Sequence, residues 1–173
     1  MELLDVYDIN RKKTNRTWIR GEEIQPGDFH LVVHVCIFNS DGEMLIQQRQ
    51  PFKKGWSNLW DLTVGGSATA GDTSQTAAQR ELYEEIGLEL DFQQMRPHLT
   101  INFEKGFDDF YLIEKNVELH TLTLQEEEVQ NVKWASKEEI LMMIKIGEFI
   151  PYYESFIHLL FDSRKQRGAF QGK

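Results

Sequence analysis

The 173-residue chain has few cysteine, proline and basic residues. Its single cysteine, Cys36, excludes an intrachain disulfide and a zinc site built from cysteines. The chain has 19 Lys and Arg against 28 Asp and Glu, a formal net charge of −9, so a nucleic-acid polymer is a poor candidate partner. No apolar run approaches the roughly 20 residues of a membrane span, and the first residues are too acidic for a signal peptide. We therefore expect a cytoplasmic protein with no membrane partner.

Hydrophobic residues make up 40% of the chain, enough for a packed core, and the length suits one domain over residues 1–173. The apolar pattern predicts an α+β fold that begins with a β-hairpin extension in residues 1–25. Residues 29–38 are apolar on both faces, so this strand should be central and should form a hairpin with 43–49. The other predicted strands are 3–7, 17–20, 60–64, 99–104, 108–114 and one ending at 134. The predicted helices are 74–86, 136–147 and 152–166, so that 136–166 forms a C-terminal helical region.

Three acidic residues share one face of the predicted helix 74–86. Glu81, Glu84 and Glu85 span about 100° of its circumference, and Arg80 lies beside them. The opposite face is an apolar stripe that should pack on the sheet, formed by Ala78, Leu82 and Ile86. Two interpretations are open: a solvated acidic face, or a site for a hard divalent cation such as Mg²⁺, which prefers carboxylate and water oxygens.

The stretch GGSATAGDTSQTAAQRELYEEIGL, residues 65–88, resembles the Nudix box G-x5-E-x7-R-E-U-x-E-E-x-G-U, where U is a bulky aliphatic residue. Gly66 opens the motif, and residues 80–88, including Gly87, match every remaining position. Asp72 replaces the first glutamate, which keeps the charge on a shorter side chain. The resemblance implies a Nudix αβα sandwich, with a mixed β-sheet between helices.

The same resemblance implies a metal-dependent hydrolase of a nucleoside diphosphate derivative or a related diphosphate ester, with Mg²⁺ or alternatively Mn²⁺ as cofactor. It assigns Glu84 and Glu85 as main metal ligands, the Gly65 carbonyl as a further ligand, and Glu81 as ligand or base. Arg80 would orient these carboxylates, with Gly66, Asp72 and Gly87 in supporting roles. The small-molecule diphosphate would be the partner, and a homodimer is a further candidate because dimers are common in the family.

Further candidate site residues lie outside the motif. Glu128 is the preferred general base, although Glu126, Glu127, Glu104, Asp108 and Asp109 are alternatives and each could be a solvated loop acid. The segment between residues 49 and 60 offers cations for phosphate and indole rings for stacking. The candidate substrate-binding residues are Arg49, Lys53, Lys54, Trp56, Trp60 and His30. His34 is expected to be a hydrogen-bonded structural histidine.

The flanking sequence resembles the Nudix branch that includes type I isopentenyl-diphosphate isomerase. That enzyme needs a cysteine just before the box and a histidine just inside it, where this chain has Gly65 and Ser67. A hydrolase is therefore favoured over an isomerase. A non-catalytic binding module is a third reading, disfavoured because Glu81, Glu84 and Glu85 are all retained.

Overall fold

The computed structural model of the protein describes residues 2–171. Three helices and nine strands are found in that range, and no helix there is both long and apolar enough to span a membrane. The strands are β1 (Leu3–Tyr7), β2 (Lys13–Ile19), β3 (His30–Phe38), β4 (Met44–Arg49), β5 (Trp60–Asp61), β6 (Val64–Ser67), β7 (Leu99–Phe103), β8 (Gly106–Glu114) and β9 (Val129–Ala135). The helices are α1 (Ser74–Ile86), α2 (Lys137–Lys145) and α3 (Glu154–Ser163), with one 3₁₀ turn at Leu119–Thr121.

Strand β3 lies at the centre of the main sheet, as its two apolar faces predict. It pairs in parallel with β8 on one side and antiparallel with β6 and β4 on the other. One face of β3, carrying Leu31, Val33, Val35 and Ile37, packs in a core with α1. The other face contributes Cys36 and Phe38 to a second core with α2 and α3. The mixed sheet therefore lies between helices, which confirms the predicted αβα sandwich.

The predicted hairpin between residues 29–38 and 43–49 is largely wrong. Only Phe38 and Met44 pair; β3 then takes β6 as its neighbour, while β4 pairs with β9 and β5. Thr63 lies where the two strands separate: its hydroxyl accepts from Ile37 N at 2.9 Å and donates to the Leu45 carbonyl. The Thr63 side chain thus bridges backbone groups of the diverging strands β3 and β4. The predicted strand 60–64 is two separate strands, β5 and β6, and Thr63 lies in the short segment between them. Gly65 and Gly66 lie within β6.

Helix α1 has its predicted bounds because both ends are specified locally. The Thr73 hydroxyl accepts from Thr76 N, and Gly87 ends the helix at φ 70°, a conformation that favours glycine. The other two helices are shorter than predicted. Ser136 caps α2 through Glu139 N, whereas α3 begins only at Glu154, after Pro151 and two tyrosines.

The N-terminal hairpin forms a separate two-stranded sheet from β1 and β2, and β2 begins earlier than expected, at Lys13. This hairpin is docked on the segment that precedes α1. Ala70 N donates to the Leu3 carbonyl at 2.8 Å, and Lys13 Nζ donates to the Asp72 carbonyl at 2.7 Å. The hairpin is therefore fixed against the same segment that leads into the acidic helix.

Candidate active site

The acidic face of α1 lines a small, strongly polar cavity of about 180 Å³. Ala78, Leu82 and Ile86 are fully buried on the opposite side of the helix, which confirms the predicted orientation. Burial of that stripe turns the three glutamates towards β6. The residues that line the cavity are Glu2, Arg20, Gly65, Gly66, Arg80, Glu81, Glu84, Glu85, Gln125 and Glu128.

Arg80 connects the acidic residues at one edge of this cavity. Its Nη1 donates to Glu81 Oε1 at 2.9 Å and to Glu84 Oε2 at 3.1 Å. Its Nη2 donates to the Ser67 carbonyl at 3.1 Å and to Asp72 Oδ2 at 2.9 Å, and Nε donates to the same Asp72 oxygen at 3.3 Å. The guanidinium thus holds two glutamates of α1 in a fixed relation to β6.

Asp72 lies behind Arg80 and does not line the cavity. Its carboxylate also accepts from Thr69 N and Oγ1, both at 2.9 Å, and from Thr76 Oγ1 at 3.0 Å. Burial works to raise the pKa of Asp72, but the hydrogen bonds from Arg80 and Thr69 outweigh it and hold the pKa below its usual value. Asp72 is therefore a charged anchor for Arg80, and its supporting role in the site stays a prediction.

Glu81 and Glu85 are both buried. Burial raises the pKa of Glu81 despite the adjacent Arg80, and it raises the pKa of Glu85 well above its usual value. Glu85 has a neutral partner, since Gln47 Nε2 donates to its carboxylate at 2.5 Å. The Glu81 carboxylate packs against Gly66, where any side chain would collide with it. These two carboxylates are costly to keep ionised unless a cation approaches them.

The donor atoms of this cavity suit a hard divalent cation. Glu81, Glu84, Glu85 and Glu128 all present carboxylate oxygens, and the volume accommodates an ion with water ligands. Within residues 2–171 no three His, Cys, Asp or Glu side chains converge closely enough to hold a metal ion. Arg80 draws Glu81 and Glu84 to one side, and Gln47 holds Glu85.

Glu128 lines the same cavity and lies in the segment just before β9. Lys53 Nζ lies 2.5 Å from its carboxylate. The alternatives lie elsewhere: Glu126, Glu127 and Glu104 are exposed, and Asp109 is buried between Arg11, Ser74 and Thr100. Of the acids considered for the base, Glu128 alone lines this acidic cavity.

A second cavity, of about 500 Å³, adjoins the first and shares Arg20, Gly65 and Gly66 with it. Arg49 and Trp56 line this cleft, together with Val32, His34, Asp61, Ser67, Ile150, Pro151 and Tyr152. Tyr152 Oη donates to Asp61 Oδ1 at 2.9 Å. The cleft therefore combines aromatic rings with cationic groups.

His34 contacts Gly65 at the base of the cleft. Its Nδ1 donates to Asp108 Oδ1 at 2.7 Å and its ring stacks on Phe110, which confirms a hydrogen-bonded histidine. Burial alone would lower the pKa of His34, but the Asp108 carboxylate reverses this and raises it. Asp108 is thereby engaged with His34, and it does not line the acidic cavity.

Four of the residues predicted to bind substrate, Lys53, Lys54, Trp60 and His30, lie outside both cavities. Lys54 is exposed on the loop, and Trp60 lies beneath Lys133, whose Nζ is 4.9 Å from the ring centroid. His30 lies between the rings of Trp18 and Phe103, and burial lowers its pKa. Their roles in substrate binding stay predictions.

Two residues that line these cavities, Arg20 and Asp61, were not singled out from the sequence. Neither was Gln47, which donates to the cavity residue Glu85. Arg20 belongs to the N-terminal hairpin, and its place depends on how that hairpin docks. Gln47 reaches Glu85 only because β4 runs beside β9. No local motif could have indicated either residue, because both positions follow from pairing between distant segments.

Comparison with known proteins identifies the family of this sequence. A family model of the Nudix domain matches residues 28–159. The chain belongs to the Nudix family. Nudix hydrolases generally use divalent metals and act on small-molecule diphosphates.

Individual relatives agree with this assignment. An uncharacterised Nudix hydrolase of Listeria monocytogenes is 49% identical over 162 residues, covering 94% of this chain and 95% of the relative. An isopentenyl-diphosphate Delta-isomerase of Salmonella arizonae is 28% identical over 120 residues, covering 65% of this chain and 64% of that enzyme. This Nudix protein thus lies in a branch that resembles the isomerase.

The fold is also that of solved Nudix proteins. A crystal structure of a Deinococcus radiodurans protein superimposes with a TM-score of 0.73 at 23% identity, covering 92% of this chain and 97% of that one. Similarity at this identity supports the architecture alone. The Nudix box of this chain is thus the β6–α1 unit of that architecture, with Gly66 in the strand and Gly87 at the helix end.

Proposed function

We propose that this protein is a divalent-cation-dependent hydrolase of a nucleoside diphosphate derivative or a related diphosphate ester. The observation that carries the proposal is the junction of two cavities. The smaller is lined by the carboxylates of one face of α1, and the larger has the size and polarity of a small-molecule cleft. Gly65 and Gly66 form part of both walls, so a diphosphate in the cleft would reach the acidic cavity.

Glu81, Glu84 and Glu85 are the side chains that would hold the cation, with the Gly65 carbonyl as a backbone ligand. Because these side chains do not converge closely enough on their own, the cation would have to draw them away from Arg80 and Gln47. Mg²⁺ is the preferred ion because every donor is an oxygen, and Mn²⁺ is an alternative. When bound, the cation would neutralise phosphate charge and polarise the phosphorus centre. The raised pKa of the buried Glu85 supports this assignment, since a cation relieves the cost of its ionised form.

The remaining residues would position the cation ligands or accept the proton of the attacking water. Arg80 holds Glu81 and Glu84 in register, and Asp72 holds Arg80. Glu128 is the proposed general base: its carboxylate would take a proton from the water that attacks phosphorus, because it lines the same cavity as the three glutamates. Lys53, beside Glu128, would keep that carboxylate in place.

The cleft would bind the remainder of the substrate. Trp56 presents an exposed indole on which a base could stack, and Arg49 offers a cation for phosphate. Loops outside the box set specificity in this proposal, so the identity of the base or alcohol depends on residues 49–61 and 150–152.

Isomerase activity is the less favoured hypothesis. Isomerisation of an alkene needs a positioned proton donor and acceptor. Gly65 stands where the isomerase has its cysteine, and a side chain there would collide with the His34 ring. Ser67 stands in place of the histidine, and its carbonyl receives Arg80. The site favours water attack on phosphorus over proton transfer to carbon.

A substrate screen tests the proposed function. The purified chain would be incubated with nucleotide and non-nucleotide diphosphates in the presence of Mg²⁺ or Mn²⁺, and phosphate-containing products would be followed by chromatography. We expect at least one diphosphate to be cleaved, with turnover abolished by excess chelator and restored by Mg²⁺. Full turnover in chelator would refute cation dependence, and no cleavage of any diphosphate would refute the hydrolase assignment.

A further inference from the structure

Two arginines line the catalytic cavity, but their hydrogen-bonding capacity differs. An arginine carries five N–H donors. Arg80 makes five hydrogen bonds to protein groups: two to Asp72 and one each to Glu81, Glu84 and the Ser67 carbonyl. Arg80 therefore has no donor left for a ligand.

Arg20 is in the opposite situation. Among residues 2–171 its guanidinium makes one hydrogen bond, from Nη1 to Glu2 Oε2 at 2.8 Å, and 55% of its side chain is exposed. It lines both the catalytic cavity and the adjoining cleft. A cation with free donors thus stands at the boundary of the two spaces.

The N-terminal hairpin fixes this position. Arg20 follows β2 directly, and its backbone N donates to the Glu2 carbonyl at 3.0 Å. Glu22 N donates to the Ile19 carbonyl at 3.1 Å, closing a turn in which Gly21 has φ 98°. Glycine favours that conformation at this position of a turn, so the backbone around Arg20 is well defined.

The electrostatics of the boundary require a cation of this kind. The catalytic cavity contains the carboxylates of Glu2, Glu81, Glu84, Glu85 and Glu128, which repel an anionic diphosphate. Lys53 is engaged with Glu128, and Arg49 lines the cleft only. Arg20 is therefore the one cation that borders both cavities, within the described chain, and keeps free donors.

We propose that Arg20 binds the diphosphate group of the substrate where the two cavities meet, so that the N-terminal hairpin is part of the substrate-binding site. This inference rests on the proposed function, since it takes a diphosphate as the ligand. The planar fork of a guanidinium suits two oxygens of one phosphoryl group. Glu2 holds the fork from one side and leaves the other side to the substrate.

Steady-state kinetics on the diphosphate found by the screen test the inference. Arg20→Ala should raise KM about tenfold or more, the range expected for loss of a charge-assisted hydrogen bond, while kcat changes much less. Arg20→Lys should give an intermediate KM, because it keeps the charge and loses the fork. The matched control is Arg16→Ala, which removes an exposed arginine of the same hairpin that pairs with Asp28 and lies outside both cavities. Its KM should equal that of the wild type.

A binding measurement separates this inference from the proposed function. Methylenediphosphonate, which cannot be hydrolysed at its bridge, would be titrated into each protein with Mg²⁺ in a calorimeter. Arg20→Ala should bind it about tenfold more weakly than the wild type and Arg16→Ala. If the wild type cleaves a diphosphate but Arg20→Ala keeps its KM and its affinity for the probe, the inference is overturned and the hydrolase stands. If the wild type cleaves nothing yet Arg20→Ala loses probe affinity, the hydrolase assignment fails and the binding site stands. If the wild type neither cleaves a diphosphate nor binds the probe, both proposals fail.

Discussion

The Glu81 carboxylate occupies the space in which a side chain at residue 66 would begin. A β-carbon placed on Gly66 would collide with the carboxyl carbon and with both oxygens of Glu81. Gly66 has no positive φ, so its backbone suits any residue and the demand for glycine comes from this contact alone. The glycine of β6 and the glutamate of α1 are therefore complementary parts of one site.

Gly66→Ala should leave the fold intact and reduce turnover. The new methyl group meets the far end of a flexible side chain, which can move without disturbing the core, but the Glu81 carboxylate leaves its position. We expect the Tm to fall slightly and kcat to fall at least tenfold, a loss of about 1.4 kcal/mol or more in transition-state stabilisation. A double-mutant cycle with Glu81→Ala checks the cause: Gly66→Ala should have no further effect in that background. Additive losses would show that Gly66 acts independently of Glu81.

Glu85→Gln should abolish the stabilisation of the protein by Mg²⁺ while keeping the fold. The glutamine is nearly isosteric and replaces a buried carboxylate whose ionised form is disfavoured, so the Tm without metal should equal or exceed that of the wild type. Addition of Mg²⁺ should raise the Tm of the wild type but not of the variant, because the ligand is lost. Differential scanning fluorimetry with and without Mg²⁺ makes the comparison, and kcat should fall by orders of magnitude. An equal Mg²⁺-dependent rise in both proteins would contradict the ligand assignment.

Substitutions at Asp72 should affect the site through Arg80. Asp72→Glu restores the residue of the Nudix box and should change kcat only modestly, since the carboxylate lies behind Arg80 and not in the cavity. Asp72→Ala removes two hydrogen bonds from Arg80 and should lower kcat more than it raises KM. Steady-state rates of the two variants, compared at equal metal concentration, measure the difference. A loss of several hundredfold in Asp72→Glu would instead indicate direct contact between Asp72 and the metal.

The protein should not interconvert isopentenyl and dimethylallyl diphosphate. Gly65 supplies no side chain, and Gly65→Cys should not create the activity because the thiol would displace the His34 ring. Incubation of both proteins with isopentenyl diphosphate and Mg²⁺ in deuterated water, followed by mass spectrometry, detects any turnover. Deuterium in dimethylallyl diphosphate, dependent on Glu84 and Glu85, would overturn the preference for hydrolysis.

His98 should make the fold less stable in acid. Burial lowers its pKa from 6.5 to about 4 in the folded protein, with Arg167 adding to the shift, and its Nδ1 accepts from Leu112 N at 3.2 Å. Between these two values the unfolded chain binds a proton that the folded protein does not, so this contribution to stability is present above pH 6.5 and is lost as the pH falls towards about 4. The urea midpoint should therefore decrease more between pH about 7 and pH about 4.5 in the wild type than in His98→Gln. The glutamine keeps a hydrogen-bond acceptor but does not titrate. Equal decreases would contradict the assignment.

Features specified by neighbouring residues were predictable from the sequence. The bounds of α1 follow from Thr73 and Gly87, and the direction of its acidic face follows from the apolar stripe. The two faces of β3 follow from alternation alone. Together with the box motif, these local signals define the acidic helix and its carboxylates before any tertiary contact is known.

Features that depend on distant segments were not predictable. The separation of β3 from β4 requires Thr63 to bridge them, and nothing near residue 63 indicates which strands it would meet. The position of Arg20 at the cavity boundary depends on docking of the N-terminal hairpin. Both result from pairing between segments that are far apart in the chain, where periodicity carries no information about partners.

The parallel pairing of β3 with β8 has a consequence for the order in which the protein can be made. His30 pairs with Gly106 and Phe38 with Glu114, so the whole Nudix box lies inside the loop that this pairing closes. During synthesis the box emerges long before β8 does, and the acidic helix then has no completed sheet against which to bury Leu82 and Ile86. The carboxylates of α1 can therefore reach their final arrangement only after residue 114 has left the ribosome. A nascent chain that ends before β8 should bear the motif without the arranged cavity.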